Sequence, residues 1–384
     1  MRKIQGGGGG WWAHAGAYAA IVALVVDSHV HIFPYLGDAS GFSSAAEHRQ
    51  FQQLYMATHG EPVRRLSDHA EVAEQTLHDG RLTDPSSLYD VDFRVGRFGR
   101  FEWTANGADL YLQFFPPSLQ AMASPAEFML QQMARAGVDR AVLQNARPYG
   151  RLNEYFAEAV RDYPDRFIGL ADVDEANAHT DPEIRKLRHA VKDLGLRGLY
   201  YANRALFTNG YAHMFDDPIF DPFWEEVRGL QIPVFWEIFG APNPVNEDHL
   251  LREIDRFNRW TDRWPTIPGV WTHGFSPDIL ERMPTPLEEL LGRDQLTVEI
   301  LYPIHWARTH PYPFTELRQA LQTLHRRVGA ERLVWGSDMP NVERNCTYRQ
   351  ALDYLSIVTS DWLPGGDLDK ILGSNVLRLL GCSA

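Results

Sequence analysis

The chain has 384 residues, 44% hydrophobic and 23% charged, the proportions of a soluble globular protein with a substantial core. Its 37 Lys and Arg against 50 Asp and Glu give a net charge of -13, which argues against nucleic acid or an anionic membrane as the main partner. Two cysteines, Cys346 and Cys382, are too few for a disulfide framework and point to a reducing, cytoplasmic setting.

Met1 to Gly10 carries Arg2, Lys3 and a run of glycines, and Trp11 and Trp12 precede an apolar or small run from Ala15 to Val26. A basic start before an apolar stretch is similar to a signal peptide, but the run is shorter than the roughly 20 residues of a spanning helix. It also continues without a cleavage-like break into Asp27-Ser28-His29-Val30-His31. Residues 1–20 therefore read as an N-terminal extension, with Met1 to Gly10 disordered, and Ile21 to Val26 as a buried strand opening a single domain over 21–384. Gly6 to Gly10 lacks the strand, helix and lysine of a phosphate loop.

Eight apolar, β-rich runs then alternate with helical patterns. They are Val22 to Ile32, Val138 to Asn145, Phe167 to Val173, Leu196 to Tyr201, Ile232 to Phe239, Gly269 to Gly274, Leu296 to Tyr302 and Arg332 to Ser337. Several are near-continuous apolar stretches, as expected of parallel strands buried on both faces, and their spacing suits one crossover helix each. Eight such units predict an α/β fold, a TIM barrel. Between the runs, Ser124-Pro125-Ala126-Glu127 reads as a capping box ahead of Phe128 to Ala136, with a stop at Gly137. Thr180 to Gly195, Pro222 to Gly229, Thr315 to Gly329 and Thr347 to Ser360 also carry helical periodicity.

The interval from Phe33 to Gly137 is much longer than the others. Most of it, residues 35–123, reads as an insertion on the first βα loop, a lid or subdomain over the active-site mouth. Its histidines, His48, His59, His69 and His78, match no metal spacing and read as surface residues. By analogy with other barrels, the insertion is a candidate homodimer contact.

His29 and His31 lie two apart on the first strand, so both point to one face, the barrel interior. Alone they fit a metal pair or a hydrogen-bonded structural pair. Glu237 ends the run Pro233-Val234-Phe235-Trp236, where a buried carboxylate needs a partner, either a cation or an arginine. His273 ends the sixth run and Asp338 the eighth, in Trp335-Gly336-Ser337-Asp338 before Met339-Pro340. Either could be structural by itself. Together the five fall at the C-terminal ends of strands one, five, six and eight, the face where barrel active sites lie.

At these residues the chain resembles the amidohydrolase superfamily, in the branch containing aminocarboxymuconate-semialdehyde decarboxylase, γ-resorcylate decarboxylase and pyrone-dicarboxylate lactonase. The likeness rests on Asp27-Ser28-His29-Val30-His31, on Asp221-Pro222-Phe223-Trp224 leading into Gln231-Ile232-Pro233-Val234, on Thr272-His273-Gly274, and on Arg332 to Pro340. It covers about Val25 to Pro340 and leaves the insertion unexplained. It implies a distorted (β/α)8 barrel binding one divalent metal ion, with His29 and His31 as first-strand ligands, Asp338 as eighth-strand ligand or base, and His273 near the substrate. Where the branch usually has a histidine at the end of strand five, this chain has Glu237. A carboxylate can still ligate through oxygen, which moves the expected metal from zinc alone to zinc or manganese.

The expected chemistry is hydrolysis of an ester, lactone or amide of a small cyclic or aromatic acid by metal-activated water, with Asp338 as base and His273 polarising or protonating the substrate oxygen. The alternative is non-oxidative decarboxylation of a hydroxylated aromatic or dienoic acid; a third reading is a non-catalytic binding barrel. An anionic substrate needs a cationic clamp, for which Arg49, Arg64, Arg65, Arg147 and Arg204 are candidates. Arg204, just past the fourth strand, is the best placed. Tyr200, Tyr201, Trp236, Phe239, Tyr302 and Trp306 near strand ends suggest a flat or apolar substrate, and His305 is a further candidate at the mouth. Cys346 reads as a small buried residue, not a nucleophile.

Overall fold

The computed structural model describes residues 24–80, 85–238 and 247–383. The extension over 1–20, residues 21–23 of the first expected strand, and Phe239 lie outside them. Eight strands follow in order: β1 (Val26–Val30), β2 (Arg140–Leu143), β3 (Phe167–Gly169), β4 (Leu199–Ala202), β5 (Val234–Glu237), β6 (Gly269–Trp271), β7 (Leu296–Ile300) and β8 (Leu333–Trp335). Parallel ladders join β1 to β2 and β2 to β3, and run unbroken from β4 to β8. Two isolated parallel bridges close the ring. Ala171 pairs with Leu199 between β3 and β4, and Val30 with Met339 between β1 and the segment after β8. The result is a closed but irregular (β/α)8 barrel, as expected. The first strand starts later than the apolar run suggested, at Val26, so the Asp27 to Val30 motif is itself the strand.

Side chains alternate across each strand, and that parity sorts the aromatics. Val142, Tyr200, Phe235, Val270 and Val334 point into the barrel, where Val376, Leu377 and Leu380 of the C-terminal segment join them. Tyr201 and Trp236 point outward. Trp236 is fully buried among Tyr201, Trp224 and Trp260, with ring centroids 5.0, 5.3 and 4.7 Å away. Its expected role in binding substrate is therefore corrected: it glues β5 to the surrounding helices, while Glu237 next to it takes the inward face.

The helices fall close to their expected places, at Asp181–Lys192, Asp221–Leu230, Arg318–Val328 and Tyr348–Thr359, the last opened by a Thr347–Gln350 capping box. Helix Ala126–Ala136 ends at Gly137 in the left-handed conformation, φ 78°, that glycine adopts without strain. Its expected capping box does not form. Ser124 instead donates its hydroxyl to the His31 carbonyl at 3.2 Å, fastening the end of the insertion to the end of β1.

Residues 35–123 hold helix Ala45–Ala57 and a four-stranded antiparallel sheet, ordered Val63–Arg65, Ala108–Gln113, Arg100–Ala105 and Arg94–Val95. Its residues Phe101, Trp103 and Leu112 belong to the same continuous hydrophobic core as the barrel and its helices. His48 and His78 are consequently buried, against the expectation of surface residues. His48 sits between the Asp38 and Pro148 carbonyls, at 2.8 and 3.0 Å.

One buried carboxylate ties the two motif segments together. Asp27 accepts hydrogen bonds from the backbone N–H groups of His29 (2.9 Å) and Ser337 (3.0 Å), from the Tyr348 hydroxyl (2.7 Å) and from the Ser337 hydroxyl. It thereby sets β1 against the start of the Asp338 turn.

Candidate active site

At the C-terminal end of the barrel, the His29 and His31 rings meet edge to face with centroids 4.9 Å apart. His29 Nδ1 lies 3.0 Å from a Glu299 carboxylate oxygen, and His31 Nδ1 lies 2.8 Å from the Gln144 carbonyl. Both partners are acceptors, so each Nδ1 carries a proton and donates it. In the neutral ring that leaves each Nε2 with a lone pair for the cleft. His31 Nε2 is 2.9 Å from Asp338 Oδ1. Two lone-pair atoms approach this closely when a proton or a cation is shared between them. The ligand atoms of His29, His31 and Asp338 all lie within 4.8 Å of one another, and all three residues are buried. Two imidazoles and a carboxylate so arranged are compatible with a divalent metal ion.

Asp338 and His273 reach the cleft through left-handed backbone, φ 63° at each, which is rare for residues other than glycine and turns both side chains off the ends of β8 and β6. Burial alone would raise the Asp338 carboxyl. The hydrogen bond from His31 and the neighbouring His29 hold it well below the usual carboxylate range. Burial takes His273 down to about 3, assisted by His29, so this imidazole is neutral. Burial also opposes charge on His29, but Glu299 outweighs it and raises that ring to about 9, so a cation that binds Nε2 must displace a proton.

Glu299, on β7, was not among the expected site residues, yet it organises the floor of the site. Fully buried, it accepts from the Ser28 hydroxyl (2.6 Å), from His29 Nδ1 (3.0 Å) and from the His273 backbone N–H (3.0 Å). A Cβ at Gly336 would lie 2.9 Å from each of three atoms: Glu299 Oε1, His29 Cβ and Ser28 Oγ. Gly336→Ala is therefore expected to lose about 1–3 kcal/mol of stability and to displace the His29–Glu299 pair, measurable by denaturant unfolding and metal titration.

Above this floor is a cleft of about 580 Å3, counting the space at its open mouth. Of the expected residues, His29, His31, Glu237, His273, Asp338, Tyr200, Arg204 and His305 all line it. Glu237 stands outside the tight group of three. Its Oε2 accepts the Tyr200 hydroxyl, and burial raises its carboxyl, partly offset by that bond. His305 packs against His273, ring centroids 6.2 Å apart. Arg204 is held by neutral groups: the Tyr55 ring at 4.2 Å, the Tyr55 carbonyl and the Thr58 hydroxyl.

The other arginines and aromatics named from the sequence lie elsewhere. Arg49 is exposed, Arg64 and Arg65 pair with Glu71 and Asp68, and Arg147 is buried against Asp174 and Glu175. The Tyr302 hydroxyl donates to the Phe275 carbonyl, and Trp306 stacks on His310. The sequence reading missed Tyr55, His59 and Phe114 from the insertion, Tyr149 after β2, and Asn341 and Arg344 after β8. Asn341 donates to Asp338 Oδ1 at 2.7 Å and to the Tyr149 hydroxyl at 3.0 Å. The signal for this last pair was local: Asn341 and Arg344 are three apart on the 3₁₀ turn that follows Asp338, so they share a side.

A family model described as amidohydrolase matches residues 26–382. The chain belongs to the amidohydrolase family. It is an enzyme of that superfamily, in the branch expected from its strand-end motifs. Over 92 residues, 23% of this chain and 24% of the relative, it is 34% identical to the 2-amino-3-carboxymuconate-6-semialdehyde decarboxylase of Dictyostelium discoideum. Over 107 residues, 27% of this chain and 31% of the relative, it is 31% identical to the γ-resorcylate decarboxylase of Rhodococcus jostii (strain RHA1). The matches thus span about a quarter to a third of those two proteins. Among solved structures, an amidohydrolase from Burkholderia multivorans with bound HEPES shares the fold at a TM-score of 0.59 and 13% identity, covering 94% of this chain and 100% of that one. Among the described residues, no helix is long and apolar enough to cross a membrane.

Proposed function

We propose that this amidohydrolase is a non-oxidative decarboxylase of a hydroxylated aromatic or dienoic acid, with His29, His31 and Asp338 holding one zinc or manganese ion. The sequence alone ranked hydrolysis first. The observation that carries the present reading is the pairing of a cation-binding floor with Arg204, which among the described residues hydrogen-bonds only neutral groups and lies near Glu237, in one aromatic-walled cleft. Such a cleft suits a planar carboxylate, and both curated relatives are decarboxylases.

When bound, the divalent ion supplies Lewis acidity toward the substrate carboxylate and its adjacent hydroxyl. Arg204 offers its guanidinium to the acid, and Tyr55, Phe114 and Tyr149 flank the ring. Asp338, ionised beside His31, takes the hydroxyl proton and delivers it to the ring carbon that bears the carboxylate. The bond from that carbon to the carboxylate then breaks, its electron pair returns to the ring, and carbon dioxide leaves. His273 stays neutral and fixed through its backbone bond to Glu299, facing the reacting oxygens. Residues 35–123 act as the lid: they supply Tyr55, His59 and Phe114, and Glu61 ties them to the barrel through Arg308 (2.8 Å) and Arg344 (3.0 Å).

The test is to incubate zinc- and manganese-loaded protein with panels of hydroxybenzoates and lactones. Carbon dioxide release equal to acid consumed, abolished by a chelator and restored by either metal, is expected. Acid release from lactones with no carbon dioxide from any hydroxybenzoate would return the assignment to hydrolysis, in which Asp338 would serve as the base.

A further inference from the structure

We propose that Glu237 and Tyr200 form a polar subsite that reads a hydrogen-bond-donating substituent on the substrate, separate from the His29, His31 and Asp338 group. This rests on the decarboxylase reading and adds to it a substrate class: an acid with a second hydroxyl or an amino group beyond the hydroxyl adjacent to its carboxylate.

Three observations support the assignment. Glu237 lines the cleft but is not one of the residues whose ligand atoms converge within 4.8 Å. Its Oε2 is committed to the Tyr200 hydroxyl, from the neighbouring strand β4. Among the described residues, no hydrogen bond reaches its Oε1, although Glu237 is only 8% exposed. The nearby guanidinium of Arg204 does not fill this vacancy, since its own bonds go to the Tyr55 carbonyl and Thr58 hydroxyl.

A buried carboxylate with one oxygen bonded and the other facing a cavity is an acceptor awaiting a donor. A phenolic O–H or an aromatic N–H supplies one; a carboxylate or an ether does not. Sites that hydrogen-bond a substrate O–H or N–H discriminate strongly against analogues lacking it, because the protein group is then left unpaired. Glu237 stands where a histidine is expected from the resemblance, so an imidazole able to ligate a metal has been exchanged for an acceptor fixed by a tyrosine.

The test uses the full chain as wild type, Glu237→Gln, Glu237→Ala and Tyr200→Phe, each loaded with manganese. Metal analysis and thermal melting are followed by calorimetric titration with 2-hydroxybenzoate and with its derivatives carrying one further hydroxyl or amino group at each ring position. About one manganese per chain is expected in all four proteins. At least one derivative should bind wild type about tenfold or more tighter than 2-hydroxybenzoate, and that preference should shrink to about twofold or less in both Glu237 variants. Tyr200→Phe, with Glu237 no longer anchored, should keep its manganese and lose part of the preference.

Loss of manganese from folded Glu237→Gln would make Glu237 a ligand and overturn the proposal. So would a preference that survives in Glu237→Ala, or a wild type that binds all the acids alike. A wild type that binds none of them overturns the aromatic-acid form of the decarboxylase reading, and the subsite with it, before any variant is compared.

Discussion

Asp338→Asn is expected to lower kcat by about 10²–10⁴-fold while leaving the fold nearly unchanged. The two hydrogen-bonding contacts at the carboxylate, with His31 Nε2 at 2.9 Å and Asn341 Nδ2 at 2.7 Å, both involve Oδ1. An asparagine retains an Oδ1 for them and exchanges only Oδ2 for an amide group, so the buried network persists and the melting temperature should move by a few degrees at most. What disappears is the ionised carboxylate that takes up and returns a proton. It also removes one anionic ligand, so the rates must be compared at saturating metal, with occupancy measured on the same samples. A metal-saturated variant that keeps more than about a tenth of the wild-type kcat would exclude Asp338 as the proton carrier.

The parts of this site that could be read from the sequence were those whose meaning is local. His29 and His31 share a strand face by spacing, and Asp338 ends an apolar run, so strand parity and the barrel's C-terminal face located them without knowledge of any contact. Arg204 followed from lying just past β4. Parity could also have warned against Trp236, since a residue adjacent to an inward Glu237 must face outward. Glu299 was harder. It sits within the apolar stretch Leu296 to Ile300, and its partner His29 is 270 residues away in the chain, a contact that only closure of the barrel creates. Tyr55, His59 and Phe114 were illegible for a different reason: their approach to the cleft depends on how the inserted sheet folds back over the barrel, and that sheet follows no repeat of the βα pattern. The reaction type was not legible at all, because the same residues serve water activation and proton delivery to carbon. The decarboxylase relatives are what shift the balance, since Arg204 would clamp the acid in either reaction.

Glu299→Ala is expected to damage stability and metal binding together. Removing the side chain strands three donors inside the barrel at once: the Ser28 hydroxyl, His29 Nδ1–H and the His273 backbone N–H. Breaking a buried hydrogen-bonded charge pair from one side costs about 3–5 kcal/mol, which denaturant unfolding of the metal-free protein would detect. His29 would also lose the partner that fixes its tautomer and ring orientation, so metal affinity should fall by about 10–100-fold. Glu299→Gln separates the two effects. It fills the same volume, and its amide oxygen can accept from His29 Nδ1–H and the His273 N–H while its NH2 donates to the Ser28 hydroxyl oxygen, which should restore most of the stability, but it carries no charge. The ring of His29 is then held by a neutral acceptor, without a charge behind it. Metal affinity in Glu299→Gln should therefore remain well below wild type even where its unfolding midpoint is nearly recovered. If Glu299→Gln instead bound metal as tightly as wild type, the carboxylate would be needed only for packing the barrel floor, and its charge would have no part in presenting His29 Nε2 to the cation.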